Sequence, residues 1–250
     1  MVTTTAYAYG VSRAWWRQAN SSTERPLDRG DPACGGMDNL STTCGIQGAP
    51  RDYFVWGVEP RLVFERQIGV VAHTIELGLR AHHEWQERQT IGGALPNSRT
   101  PGPADNPGSG ITEDNLRTNQ AYAAWIQDRI TIGDWTVTPG VRLEGIRYQR
   151  TNRLPVADHP EGTSGRSSLV QVIPGLGITR LAGATTLYAG LHRGFAPPRT
   201  EDLISNSTGG VLELDAELSW NAELGARTEL GSGIQAELTA FRMAFENQII

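Results

Sequence analysis

Val71-Ala72-His73-Thr74-Ile75-Glu76-Leu77-Gly78-Leu79-Arg80-Ala81-His82-His83-Glu84 is the stretch whose reading decides the fold. Its odd positions, Val71, His73, Ile75, Leu77, Leu79 and Ala81, are nearly all apolar. Its even positions, among them Glu76, Arg80, His82 and Glu84, carry the charge. In an extended chain alternate side chains project to opposite faces, so the stretch is a strand with one apolar and one charged side. The pattern returns along the chain. Phe54, Trp56, Val58, Pro60, Leu62 and Phe64 alternate with Tyr53, Val55, Gly57, Glu59, Arg61, Val63 and Glu65. Trp135, Val137, Pro139, Val141 and Leu143 alternate with Thr136, Thr138, Gly140, Arg142 and Glu144. Leu218, Trp220, Ala222, Leu224 and Ala226 alternate with Ser219, Asn221, Glu223, Gly225 and Arg227. Helical periodicity is nearly absent.

Nine strands are expected, at about 2–16, 51–65, 70–90, 118–131, 135–151, 168–179, 184–194, 216–230 and 234–247. Several exceed the five or six residues usual in globular sheets. Their connections alternate in length. Those at 17–50, 91–117 and 195–215 are long and that at 152–167 is medium, and the long ones are polar and rich in Gly and Pro. Those near 67–69, 133–134, 181–184 and 231–233 are tight. A soluble sandwich has no reason to sort its loops by parity. A transmembrane up-and-down barrel does, with short turns on one side of the membrane and long loops on the other. The fold expected is all-β: an antiparallel transmembrane β-barrel segment whose apolar row faces lipid and whose charged row faces the lumen. The alternative for the charged row is the solvated face of a soluble sheet.

Composition bounds this reading. The 250 residues hold 22 cations against 27 acids, a net charge of −5, and every cation is Arg. An acidic chain without a basic face is a poor partner for nucleic acid. No run reaches the ~18 consecutive apolar residues of a transmembrane helix, as expected where alternate residues divide the apolar surface. Residues 1–7 have neither a cationic start nor an apolar run, so no signal peptide is expected there. The last residues read as the middle of a strand. An odd number of strands does not suit a bacterial single-chain barrel, and an open sheet edge cannot stand in lipid. The expectation is therefore one partial barrel domain over 1–250, about nine strands of a larger barrel, with 22 strands the largest transport type. Alone, such a segment should aggregate through its edges.

Cys34 and Cys44, separated by nine residues in one Gly/Ser/Thr-rich loop, are expected to form a disulfide, which implies an oxidising compartment. No metal site is expected. His82 and His83 are neighbours on a strand and face opposite sides, and the cysteines lack His partners at zinc spacing. Gly175-Leu176-Gly177 precedes no helix, which rejects a dinucleotide fingerprint. No catalytic constellation is present, so an enzyme is not expected, although no sequence argument excludes a membrane-embedded hydrolase.

The C-terminal third is more specific. Leu191-His192-Arg193-Gly194-Phe195-Ala196-Pro197-Pro198 precedes a long loop. Two strands follow, Glu217-Leu218-Ser219-Trp220-Asn221-Ala222-Glu223-Leu224-Gly225-Ala226-Arg227 and Thr239-Ala240-Phe241-Arg242-Met243-Ala244-Phe245-Glu246-Asn247-Gln248-Ile249. This succession resembles the TonB-dependent outer-membrane receptors, most of all their ferric-dicitrate branch, and Thr138-Pro139-Gly140-Val141-Arg142-Leu143-Glu144 is similar to another of their strands. The resemblance implies a bacterial outer-membrane location and contact with its lipid. It implies uptake of a ferric siderophore such as ferric dicitrate, with iron entering only as part of the chelated ligand and no directly bound cofactor. It also implies a TonB partner reached through an N-terminal plug domain, absent from these residues.

An anionic chelate calls for Arg at the extracellular mouth, because the planar guanidinium binds carboxylates bidentately. The upper strand ends and loops offer Arg88, Arg99, Arg117, Arg150, Arg153, Arg166, Arg193 and Arg199. Arg193, Arg199, His192, Arg150 and Arg117 are the expected substrate-binding residues. Arg142, Glu144, Glu223 and Arg227 are expected to be structural residues of the lumen wall. Two other readings stay open: a receptor for haem or an oligosaccharide, and a soluble cell-surface β-sandwich or propeller binding module.

Overall fold

The computed structural model describes residues 1–18, 46–93, 99–102, 110–231 and 233–247. Nine strands follow one another: β1 (Val2–Gln18), β2 (Ile46–Ile68), β3 (Val71–Gly92), β4 (Gly110–Ile132), β5 (Trp135–Asn152), β6 (Thr163–Ala182), β7 (Thr185–Ala196), β8 (Glu217–Glu229) and β9 (Gln235–Glu246). They form one antiparallel sheet in sequence order, with β1 and β9 as its edges. The sheet is not closed on itself. Cys34 and Cys44, and so their expected disulfide, lie outside the described residues.

Every expected strand is present, and the connections keep their parity. β2, β4 and β6 start earlier than alternation indicates, at Ile46, Gly110 and Thr163. The rungs added to β4 and β6 are largely polar, such as Asn115 opposite Asn152 and Asn152 opposite Thr163, while β2 gains Ile46-Gln47-Gly48-Ala49-Pro50, which does not alternate. The ladder bonds there are backbone bonds, which need no hydrophobic alternation. A four-residue helix, α1 (Thr200–Leu203), stands in the loop after β7, where the sequence shows no helical pattern.

Three tight turns place Gly69, Gly133 and Gly183 first, at φ +60°, +55° and +63°, while Val70, Asp134 and Ala184 avoid positive φ. That sign pattern is a type II′ turn, whose twist matches the strands it joins.

Register carries the two faces across the sheet. On the apolar face Leu62, Leu77, Ile126 and Val141 stand in one row. Large apolar side chains there are exposed: Leu79 is 58% and Val170 is 69% accessible. Aromatic and cationic groups pair near both ends of this face. Arg180 lies 5.1 Å from the ring of Trp135, which directly follows the tight turn Gly133-Asp134, and Arg193 lies 5.3 Å from the Trp220 ring toward the long loops.

The other face is a polar wall carrying Arg142, Glu144, Glu223 and Arg227. Arg142 Nε donates to Glu144 Oε1 at 2.5 Å. Arg227 donates through Nε and Nη2 to Glu237, at 3.2 and 3.0 Å. Glu76 gathers donors from Arg61 at 2.5 Å, Gln127 at 3.1 Å and the Trp125 indole at 3.3 Å. Trp125 lies flat over Gly78, where an added Cβ would stand 1.9 Å from the ring. Gly78→Val is therefore expected to expel the indole from Glu76 and from the Arg142 guanidinium, which lies 4.8 Å from its ring centre, destabilising the wall by about 2 kcal/mol. A urea titration of the folded barrel, read by tryptophan fluorescence, checks this. An unchanged midpoint would mean that Trp125 has another place to go.

Candidate functional site

The long-loop end of the polar face gathers arginines from five strands. One row runs Arg13, Arg51, Arg88, Asn115, Asn152, Thr163. The row beneath runs Val11, Tyr53, Gln86, Arg117, Arg150, Gly165. Each residue is a direct lateral neighbour of the next, within reach of long side chains.

The acids present only partly balance these cations. Glu113 accepts from Arg88 Nε at 3.0 Å, Asn115 at 3.0 Å and Thr90 at 2.8 Å. Glu201 of α1 accepts from Arg117 Nη1 at 2.7 Å. Among the described residues five guanidiniums thus face two carboxylates in these rows and the loop 197–216, and Glu84 stands in the row below. Among the described residues Arg13 and Arg51 have no acidic partner, and Arg51 Nε is buried without a hydrogen bond. Packed like charges in a partly dry wall favour a polyanion that bridges them.

The loop 197–216 folds down onto the same face. β6 and β7 stop pairing at Gly175 and His192, although β6 continues to Thr163 beside β5 and β7 to Ala196 beside β8. Leu203 and Ile204 pack on Ile146 and Tyr148, with Leu169, Phe195 and Leu214 around them. Arg150 is buried beneath the loop and donates to the Ile204 carbonyl at 2.8 Å and to Asn115 Oδ1 at 3.2 Å. Asn152 and Thr163 donate to the Asn206 carbonyl at 3.1 and 2.9 Å, and Thr200 to Asn119 at 2.9 Å. At Gly165 a Cβ would stand 2.5 Å from Ile204 and 2.4 Å from the Gly209 carbonyl, so only glycine lets the loop lie this low.

The structure therefore separates the expected substrate-binding residues. Arg117 and Arg150 belong to the site but lie under the loop, where they hold it. His192 is exposed on the polar face, in register with Gly175 and Asn221. Arg193 points to the opposite, apolar face, donating to Glu246 at 2.7 Å, because adjacent strand residues alternate. Arg199 is exposed and forked onto Asp202 at 2.9 and 3.2 Å. Arg166 also stands on the apolar side, in register with Gln149. Arg13 and Arg51, the least neutralised cations, are absent from the sequence-based set; each sits at an expected strand end, and only the register brings them together. Among the described residues no group of His, Cys, Asp and Glu is arranged to hold a metal ion.

Burial pushes the Glu201 carboxyl up. Its backbone N–H and the Arg117 and Arg199 guanidiniums outweigh burial and hold it below the ordinary carboxylate range. A carboxylate depressed in the folded state contributes stability that is complete above its unfolded pKa and lost as pH falls through the folded value. Acidification below about pH 4.5 is thus expected to loosen the loop first. Amide exchange across 197–216 compared with β5 reads this, and uniform protection loss would contradict it.

A family model described as "TonB dependent receptor-like, beta-barrel" matches residues 4–250. The chain belongs to that family. Its polar face is thus the lumen wall and its apolar face the lipid-facing one. Among solved structures it is similar to the ferric citrate transporter FecA in the unliganded form, at 28% identity and TM-score 0.66, over 84% of this chain and 30% of that one. It also resembles the siderophore receptor PiuA from Acinetobacter baumannii, at 12% identity and TM-score 0.65, over 96% and 37%. The ferric yersiniabactin uptake receptor FyuA from Yersinia pestis matches at 18% and TM-score 0.57, over 83% and 31%. The two latter likenesses show the fold. The chain spans about a third of these relatives' length.

Proposed function

We propose that this chain is part of the barrel of a bacterial outer-membrane receptor that takes up an anionic ferric chelate of the ferric-dicitrate type, driven by TonB through a plug domain outside these residues. The cationic rows carry the reading. Arg13, Arg51 and Arg88 stand side by side, with one carboxylate, Glu113, among them within the described residues. A ferric dicitrate presents several carboxylates around one metal and would be held by these groups through its outer oxygens. Arg117 and Arg150 position the loop 197–216 beside it, and His192 lies further along the same wall. Iron is cargo here and needs no protein ligand. The likeness to FecA, at 28% identity, supports this substrate class over a neutral oligosaccharide, which has no use for uncompensated guanidiniums.

The test is equilibrium binding to the intact receptor in detergent, with ferric dicitrate, haem and a neutral oligosaccharide in parallel. Ferric dicitrate should bind with strong salt dependence and resist competition by the other two. Preference for either competitor would overturn the proposal.

A further inference from the structure

Two arginines on the lipid-facing side have no role in the lumen site. Arg147 and Arg166 are exposed, on adjacent strands, and neither has a hydrogen bond or ion pair among the described residues. They line one hollow of about 430 Å³ together with Thr118, Gln120, Gln149 and Ser168. All six side chains belong to the apolar-face register, Gln120 opposite Arg147 and Arg147 opposite Ser168. The hollow is rich in N–H and O–H donors and has no carboxylate. Glu87 and Asp114, higher on the strands, are taken by Arg153.

Height identifies what such a hollow meets. Arg147 lies twelve residues beyond Trp135 on β5. At about 3.3 Å per residue and a tilt of about 45°, that is roughly 28 Å along the membrane normal, just above an apolar band of about 25 Å. β4 and β6 change character at the same level, Tyr122 giving way to Gln120 and Val170 to Ser168. Directly below, Tyr122, Ala124, Leu143, Gly145 and Val170 line a second, apolar groove of about 540 Å³. Gly145 opens it by lacking a side chain between Tyr122 and Val170.

We propose that this pair of hollows binds a phosphate-bearing lipid. Arg147 and Arg166 hold the phosphate through charge-assisted bonds, Thr118, Gln120, Gln149 and Ser168 complete its oxygens, and an acyl chain lies in the groove past Gly145. The inference rests on the barrel standing in a membrane, not on which chelate it carries. Its failure would leave the ferric-dicitrate reading untouched, because neither arginine faces the lumen.

The intact receptor in detergent is titrated with phosphatidic acid, with phosphatidylcholine of equal chain length, and with inorganic phosphate, following the thermal midpoint and bound lipid by native mass spectrometry. Phosphatidic acid should bind most tightly. The double variant R147Q/R166Q should weaken it by about tenfold or more. Gly145→Leu, which fills the groove, should weaken phosphatidic acid but not inorganic phosphate. Ferric-dicitrate affinity and heat-modifiable gel migration, unchanged in both variants, establish that they are folded. Equal binding of the two lipids, undiminished binding by a folded R147Q/R166Q, or an equal response to inorganic phosphate alone would each overturn the proposal; the last would mean a free-anion site.

Discussion

Replacing Arg13 and Arg51 together with Ala should weaken ferric-dicitrate binding by the intact receptor by about a hundredfold or more, the loss expected when two charged contacts of this kind are truncated. Among the described residues these two cations face the lumen without an acidic partner, and Arg51 Nε has no hydrogen bond. A ligand carboxylate supplies what the wall withholds. The direction of the stability change separates this effect from misfolding. Removing charges from a crowded cationic row relieves repulsion, so the unfolding midpoint should hold or rise while affinity falls. Arg88→Ala should behave differently, because it strips Glu113 of a partner and disturbs Asn115 and Thr90 as well. Isothermal titration at two salt concentrations reads the binding, and a urea series reads the stability. Undiminished affinity in the double variant would remove the arginine rows from the site.

Arg150→Ala is expected to release the loop 197–216. The guanidinium is buried and spans from Asn115 to the Ile204 carbonyl. Its loss deletes two charged hydrogen bonds, leaves the carbonyl without that donor and opens a void beside Tyr148. Together these should cost about 3 kcal/mol of local stability. The loss should appear as faster amide exchange and proteolysis within 197–216, with β2 and β3 unaffected. Arg150→Lys should rescue only in part, since an ammonium cannot reproduce the planar fork. Arg199→Ala is the contrast, because its ion pair with Asp202 is exposed and its removal should leave the loop closed. Equal protection in Arg150→Ala and wild type would mean that Leu203 and Ile204 alone seat the loop.

Much of the architecture was legible before any coordinates. Alternation needs only a residue and its neighbours along the chain, so Val71 to Glu84 declares its two faces unaided. The parity of the connections then gives the up-and-down order, because short turns force adjacent strands to pair. The lumen positions of Arg142, Glu144, Glu223 and Arg227 follow from the same alternation. The polar upper rungs of β4 and β6 were not legible, since Asn115, Asn152 and Thr163 pair through the backbone and leave no periodic trace.

The site was legible only in kind. Arginines at a barrel mouth pointed to an anion, but the members chosen from sequence scattered. Arg193 and His192 differ by one residue and stand on opposite faces. Arg117 and Arg150, expected as ligand contacts at the mouth, lie beneath the loop that carries a helix of four residues, too short to leave a pattern. Sequence alone thus determined the number of strands, their faces and the sorting of the loops, all set by local geometry. Tertiary structure alone decided which charges meet. Arg13, Arg51 and Arg88 come from three strands separated by long stretches of chain, and only the register of the ladder sets them side by side.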